Sequence, residues 1–331
     1  MFDIFGRVDD PEKEQKRALN RLVAGSSFFG CGRYLKSIDE IHRQEIYAHY
    51  EFERLEGKYQ TIMDFYHNDA GENWNQTLFS YFFQYLGDPK NKETYKLLAK
   101  RVGYSTILRE RSNPLRIEAL LLGAAGLLKD YDDDLYTQSL RREAEYLMRK
   151  YNITPLSSKQ WNMNKQYPKN SPVLRLAQAA TLFSQNELLF DKIIRCRCAE
   201  DIEDIFSVEA SDYWTTHYVP SRVSAKDVKR IGADKCNILG INVVVMLQYA
   251  YGSYISDDEL VDQAQNLIQD LKAETNWITT KWRNHGLRPK TAFEGQALIQ
   301  LGGVHCAEGR CKGCFVGARA MQNFSWLDSK E

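Results

Sequence analysis

Apolar residues recur at three- and four-residue spacing over most of the chain, while clean alternation with period two is scarce, so the pattern predicts helices. Ile41 to Tyr66 reads as one long, charged helix. Trp74 to Leu86 places Trp74, Leu78, Phe79, Phe82, Phe83 and Leu86 on an aromatic core face, and Gly87 with Pro89 supplies the stop. Ser112-Asn113-Pro114 opens another helix with proline in its first turn. Leu120 to Leu128 is apolar nearly all round, and Gly123, Ala124, Ala125 and Gly126 suit close packing against neighbours. Leu135 to Tyr151 is amphipathic, with Arg141, Arg142 and Glu143 expected in water. Helical periodicity resumes from Arg175 to Arg195. The run Ile241 to Leu247 is β-branched, but its length favours a buried helix over a strand. Asp257 to Lys272 is amphipathic, with Asp257 or Asp258 where a carboxylate meets unpaired N–H groups.

Thr154 to Pro172 holds three prolines with Ser157, Ser158 and Asn170, which makes it irregular and the expected boundary. The architecture expected is all-α or mostly α: two helical lobes, residues 1–153 and 154–331, or one continuous multi-helical domain. With 331 residues a sizeable core needs no disulfide staples.

The 44 basic and 44 acidic side chains cancel, so no global field favours nucleic acid, anionic membranes or charged substrates. Met1 to Arg7 lacks the apolar stretch of a signal peptide, and no later apolar run is expected to approach the length of a membrane span, so the expectation is a cytoplasmic protein without membrane contact. Seven cysteines in such a chain favour reduced thiols or metal ligands over a disulfide framework.

The sharpest local feature runs from His305 to Cys314. Cys311 and Cys314 form a Cys-x-x-Cys pair that can grip a metal from a tight turn, Cys306 can supply a third thiolate, and Gly309 and Gly313 supply the turns. Zinc wants four ligands; His305 or a distant residue such as Cys31, Cys236 or His217 would complete the set. An iron–sulfur cluster is the rival cofactor, and free thiols in a reduced protein are the plain alternative. Cys196 and Cys198 diverge by about 200° on a helix, which argues against joint ligation.

A basic strip interleaves Lys281, Trp282, Arg283, Arg288 and Lys290, a combination suited to phosphate contact and base stacking, and Lys226, Lys229 and Arg230 extend it. Its plain alternative is a solvated face. Glu209 and His217, with Tyr213 and Trp214 between them, and Glu274 with His285 offer pocket-forming groups, although aromatic packing with a locally bonded histidine explains the same residues. Absent are a phosphate-binding loop, a dinucleotide fingerprint, a Gly-x-Ser-x-Gly elbow and a His-Glu-x-x-His helix.

Several strings resemble the DUF2851 family, a bacterial group named only as a domain of unknown function. They are Pro114 to Leu121 followed by Gly123, Ala125 and Gly126; Trp161 followed by Pro168, Asn170, Pro172, Arg175 and Gln178; Tyr213-Trp214 with His217-Tyr218; Asn242; Glu274, Asn276 and Trp282; and Ala292, Gln296-Ala297-Leu298, Cys306, Cys311, Cys314 and Gly317. The resemblance implies that longer relatives begin with a nuclease-like segment carrying Gly-Pro-Asp-Phe and Val-Glu-x-His motifs, neither of which occurs here. Lys165 and Tyr167 stand where the family pattern has arginines, Ser171 where it has phenylalanine and Ala124 where it has glutamine, which weakens any anion site there.

The function expected is a non-catalytic binding or assembly module with a protein partner. The first alternative is a nucleic-acid-associated protein with a C-terminal cysteine metal site, a nuclease accessory or degenerate nuclease relative. The second is an enzyme with a non-standard pocket.

Overall fold

Short polar side chains decide where many of the helices begin. In the computed structural model, which describes residues 11–24, 30–128, 134–163 and 168–322, the chain opens with α1 (Pro11–Ala24), α2 (Gly32–Ser37) and α3 (Glu40–Asn68). Asn73 accepts from the N–H groups of Asn75 and Gln76 to start α4 (Trp74–Leu86), and α5 (Lys92–Val102) and α6 (Tyr104–Glu110) follow. Asn113 caps α7 (Pro114–Ala124) and Asp134 caps α8 (Leu135–Lys150). Ser171 caps α9 (Pro172–Gln185), followed by α10 (Leu189–Ile194) and α11 (Ala199–Phe206). The expected helix from Arg175 to Arg195 is thus broken after Gln185. A two-stranded antiparallel ribbon, β1 (His217–Val219) and β2 (Arg222–Val223), with two isolated bridges, is the extended structure among the described residues. Then come α12 (Ala233–Leu239), α13 (Met246–Ile255), α14 (Asp258–Asp270), α15 (Trp277–Asn284), α16 (Ala292–Gln300) and α17 (Phe315–Gln322). The fold is mostly α, as expected.

Two units emerge: residues up to 58 with those from 268 onward, and residues 59–267, so the divisions fall inside α3 and α14. This differs from lobes at 1–153 and 154–331. Residues 154–163 lie within the second unit, held to α7 by the Trp161 Nε1 donor on the Ala125 carbonyl at 2.8 Å and the Leu156 N–H on Ala124 at 2.7 Å. Lys165 and Tyr167 lie outside the described residues.

In the second unit α7 is buried along nearly its whole length. A Cβ at Gly123 would lie 2.6 Å from that of Ala144 on α8, so only glycine permits this approach. The α4 aromatic face meets Phe183 of α9, with Phe79, Phe82 and Phe83 rings 5.1–6.1 Å from its centroid. Of the expected water-facing trio on α8, Arg142 is exposed, but Arg141 donates to the Leu128 carbonyl and Glu143 accepts from Arg116. Ile241 to Leu247 is helical: a π-helical segment, Gly240–Val245, joins α12 to α13 in one run. That run corrects one expectation. Ala233–Ile255 is long and apolar enough to cross a membrane by length and composition, and 72% of its apolar window is buried inside the fold, as in a core helix.

The core of the first unit gathers Leu35, Ile46, Tyr50, Trp282, Leu298 and Val316. One face of α3 serves it, because Ile46, Tyr47 and Tyr50 recur at helical spacing.

Candidate functional site

Two segments far apart in sequence supply thiols to the first unit's core. Cys31 immediately precedes α2, and Cys306 ends a π-helical segment, Leu301–Cys306, that continues α16. Such π segments shift the register of side chains beyond them and recur at functional sites. Cys31 and Cys314 are buried members of the first unit's apolar core, and Cys306 and Cys311 are half-buried and pack against that core. The neighbouring Cys306 thiol first, then burial and the thiols of Cys314 and Cys311, hold the Cys31 thiol well above its ordinary range. Burial, then Cys306 and Cys314, raises Cys311 as well.

The turn carrying these thiols is shaped by backbone. Gly309 has φ +65°, and a Cβ at Gly317 would fall 1.9 Å from the Cys311 carbonyl oxygen. The start of α17 therefore lies directly on the Cys311–Cys314 turn. On the α3 side, Tyr50 Oη lies 3.0 Å from Cys314 Sγ and accepts the Val316 N–H at 3.3 Å. His305 goes elsewhere: its Nε2 meets both Glu53 oxygens at 2.9 and 3.0 Å, and Gln300 donates to the same carboxylate. His305 Nδ1 and Glu51 Oε1 are buried with no hydrogen-bond partner among the described residues. Burial pushes the Glu51 carboxyl up to about 7 against the opposing pull of Arg54. As the side chains stand, no group of three or more His, Cys, Asp or Glu residues among the described residues could hold a metal ion.

A groove of about 430 Å³ opens in the same unit, within the roughly 300–1,000 Å³ of ordinary ligand sites. Lys36, Arg43, Arg288 and Lys290 line it with Glu40, Glu294, Tyr47, Gly286 and Leu287. Arg43 pairs with Glu40, and Glu294 accepts the Lys290 N–H at 2.6 Å. A Cβ at Gly286, where φ is +82°, would meet Lys36 Nζ at 2.9 Å, so the glycine turn after α15 seats the α2 lysine.

The chain belongs to the DUF2851 family. That family, described as a protein of unknown function, matches residues 9–277; Cys31 lies inside the match, and the resembling strings from Trp282 to Gly317 lie beyond it. No curated protein and no solved structure matches the chain.

In this DUF2851 protein the basic strip is dispersed. Trp282 is wholly buried and donates Nε1 to the Leu298 carbonyl at 2.9 Å, which removes it as a stacking platform. Lys281 lies over the Trp277 ring and Arg283 bonds Thr275 at 3.2 Å. Arg288 and Lys290 alone of the strip line the groove. Lys229, expected to extend the strip, is buried in the second unit and donates to the Thr215 carbonyl at 2.8 Å, and Arg230 pairs with Glu209.

The pocket residues divide between the units. Glu209 and His217 belong to the second, Glu274 and His285 to the first. His217 stacks on Tyr213 at 4.0 Å and 6°, and Tyr213 stacks on Tyr136 at 4.0 Å and 14°. His217 Nδ1 lies 2.9 Å from the Tyr213 carbonyl oxygen. Beneath this stack Glu118 accepts from Trp214 Nε1 and Tyr136 Oη, both at 2.9 Å, and from Ser211 Oγ at 3.3 Å. Burial pushes its carboxyl up to about 7 although all three bonds oppose the rise. Glu274 accepts from Asn276, the cap of α15, and His285 packs over Gly32.

Sequence reasoning missed Tyr50, Glu53, Lys36 and Arg43. The available signal was the helical spacing of Arg43, Tyr47, Tyr50 and Arg54 along α3, which puts polar and aromatic groups on a face that an ordinary core would fill with aliphatic ones.

Proposed function

We propose that this DUF2851 protein is a non-catalytic binding module that takes a phosphate-bearing ligand, foremost a single nucleic-acid strand, into the groove of its first unit. One observation carries the reading: a chain of balanced charge concentrates Lys36, Arg43, Arg288 and Lys290 around a single groove. Four cations against Glu40 and Glu294 leave a local positive excess, which supports phosphate contact where net charge does not. Trp277, 58% exposed on α15, is an aromatic surface in the same unit on which a base could stack. The free cysteines favour a reducing, cytoplasmic setting.

The test is fluorescence anisotropy of a labelled 12-nucleotide single strand. Three to four phosphate contacts predict affinity falling roughly 20- to 50-fold between 50 and 200 mM salt. Replacing Arg43 and Arg288 together with alanine should flatten that slope by about two contacts. No binding at 50 mM salt, or binding indifferent to the double substitution, removes the reading.

A further inference from the structure

We infer that Arg175, in the first turn of α9, receives the carboxylate of a small organic acid in the second unit. The inference does not rest on the groove of the first unit. Arg175 is only 7% exposed. Its side chain bonds two neutral amides: Nε donates to Asn170 Oδ1 at 3.2 Å and Nη1 to Gln178 Oε1 at 3.0 Å. No carboxylate among the described residues pairs with it, and residues 164–167, just ahead of this segment, contain no acidic side chain. A buried charge without a counter-charge is strongly disfavoured, and arginine is seldom buried unless an anion accompanies it.

The surroundings sharpen the demand for an anion. Ser171 caps α9, and the bond from Arg175 to Asn170 holds the guanidinium at that end of the helix, where the dipole adds to its positive charge. Burial lowers the Arg175 pKa, and the groups that counter it are the Tyr95 phenol and the Cys236 thiol, both of which burial keeps protonated. Tyr95 Oη is itself wholly buried, with no hydrogen-bond partner among the described residues. An unneutralised cation and an unused hydroxyl donor thus act on one another, and an entering carboxylate suits both.

The chemistry of the fork selects the ligand. A guanidinium carries five N–H donors, so with Nε and one Nη1 proton engaged three remain on the terminal nitrogens. That is enough for the parallel two-pronged bond that a carboxylate accepts. Gln178 is fixed on its far side, where Nε2 donates to the Lys229 carbonyl at 3.0 Å, and so holds the fork in place. One buried cation is neutralised by one negative charge, which favours a carboxylate over a phosphate group that carries about −1.5 to −2 at pH 7.

The experiment is thermal unfolding of the full chain in sodium acetate, sodium chloride and sodium phosphate at matched ionic strength, with binding read directly from the carboxyl resonance of carbon-13-labelled acetate. Acetate at about five times its Kd should raise the midpoint by about 2–4 °C over chloride, and its resonance should broaden when the chain is added. Arg175→Met removes the unpaired charge at similar size. Its midpoint without acetate should equal or exceed the parent's, and its acetate response should vanish. Arg175→Lys keeps the charge without the fork and should weaken acetate binding about ten-fold. No broadening with no rise over chloride, an equal rise in phosphate or chloride, a response that Arg175→Met keeps, or a folded Arg175→Met with a lowered acetate-free midpoint would each overturn the site. If Arg175→Met does not fold, acetate held by Arg175→Lys as tightly as by the parent overturns it.

Discussion

Tyr50 Oη lies 3.0 Å from Cys314 Sγ and at the same time accepts the backbone N–H of Val316. A residue in the middle of α3 is thereby tied to both sides of the junction between the cysteine turn and α17. The phenol is buried, and its proton is held far more tightly than usual, by burial first and by the Cys314 bond second.

Tyr50→Phe keeps the ring and removes only the hydroxyl. The lost buried hydrogen bonding should cost about 1–2 kcal/mol of stability, read as a lower urea midpoint. An unchanged midpoint would show that the contacts of the hydroxyl with Cys314 and Val316 add no net stability.

Two glycines in the same unit should respond oppositely to alanine. At Gly317 the new Cβ would stand 1.9 Å from the Cys311 carbonyl, so Gly317→Ala must push α17 off the turn, at about 3 kcal/mol or more. Gly57 sits exposed inside α3 with nothing within 4 Å of its would-be Cβ, and Gly57→Ala should stabilise by about 0.5–1 kcal/mol. Urea midpoints of the two variants should move in opposite directions; a shared direction contradicts the packing at Gly317.

Local chemistry was readable in the sequence, and tertiary closure was not. The starts of α4 and α7 follow from Asn73 and from Asn113-Pro114, because capping needs only neighbours in the chain. Several residues that carry the family resemblance prove to be joints: Trp161 reaches Ala125, Gln178 reaches the Lys229 carbonyl and Trp214 reaches Glu118. Each polar atom is satisfied across a long sequence separation that no periodicity reveals. His305 next to Cys306 looks like a ligand by spacing, yet the π-helical segment turns its Nε2 to Glu53.

Glu118 makes the second unit sensitive to pH. Its folded carboxyl titrates at about 7, above the unfolded value of 4.5. Between those values the folded state holds the extra proton, so stability is fully present below about pH 4.5 and declines as pH rises through 7, by a few kcal/mol at most. Glu51, also raised to about 7, adds a decline of the same sign in the first unit. Glu118→Gln keeps acceptors for Trp214 and Tyr136 and removes the titration. Thermal midpoints measured from pH 5 to 8 should fall less steeply in Glu118→Gln than in the parent. Parallel curves would mean that the carboxyl is not held protonated by its burial.

The two tryptophans of α15 separate packing from surface chemistry. Trp282 is fully buried with its Nε1 satisfied by Leu298, so Trp282→Ala should cost about 3–5 kcal/mol through lost contact and cavity. Trp277 is 58% exposed beneath the Lys281 ammonium, 5.3 Å from the ring centroid. Trp277→Ala should therefore leave the unfolding midpoint within about 0.5 kcal/mol of the parent. If a nucleic-acid strand occupies the groove and its bases reach α15, the same substitution should weaken binding of the labelled 12-mer by about 1–3 kcal/mol, the worth of one stacked base. A stable Trp277→Ala chain with undiminished binding would confine the contact to phosphates at Lys36, Arg43, Arg288 and Lys290. A destabilised one would place Trp277 in the fold itself.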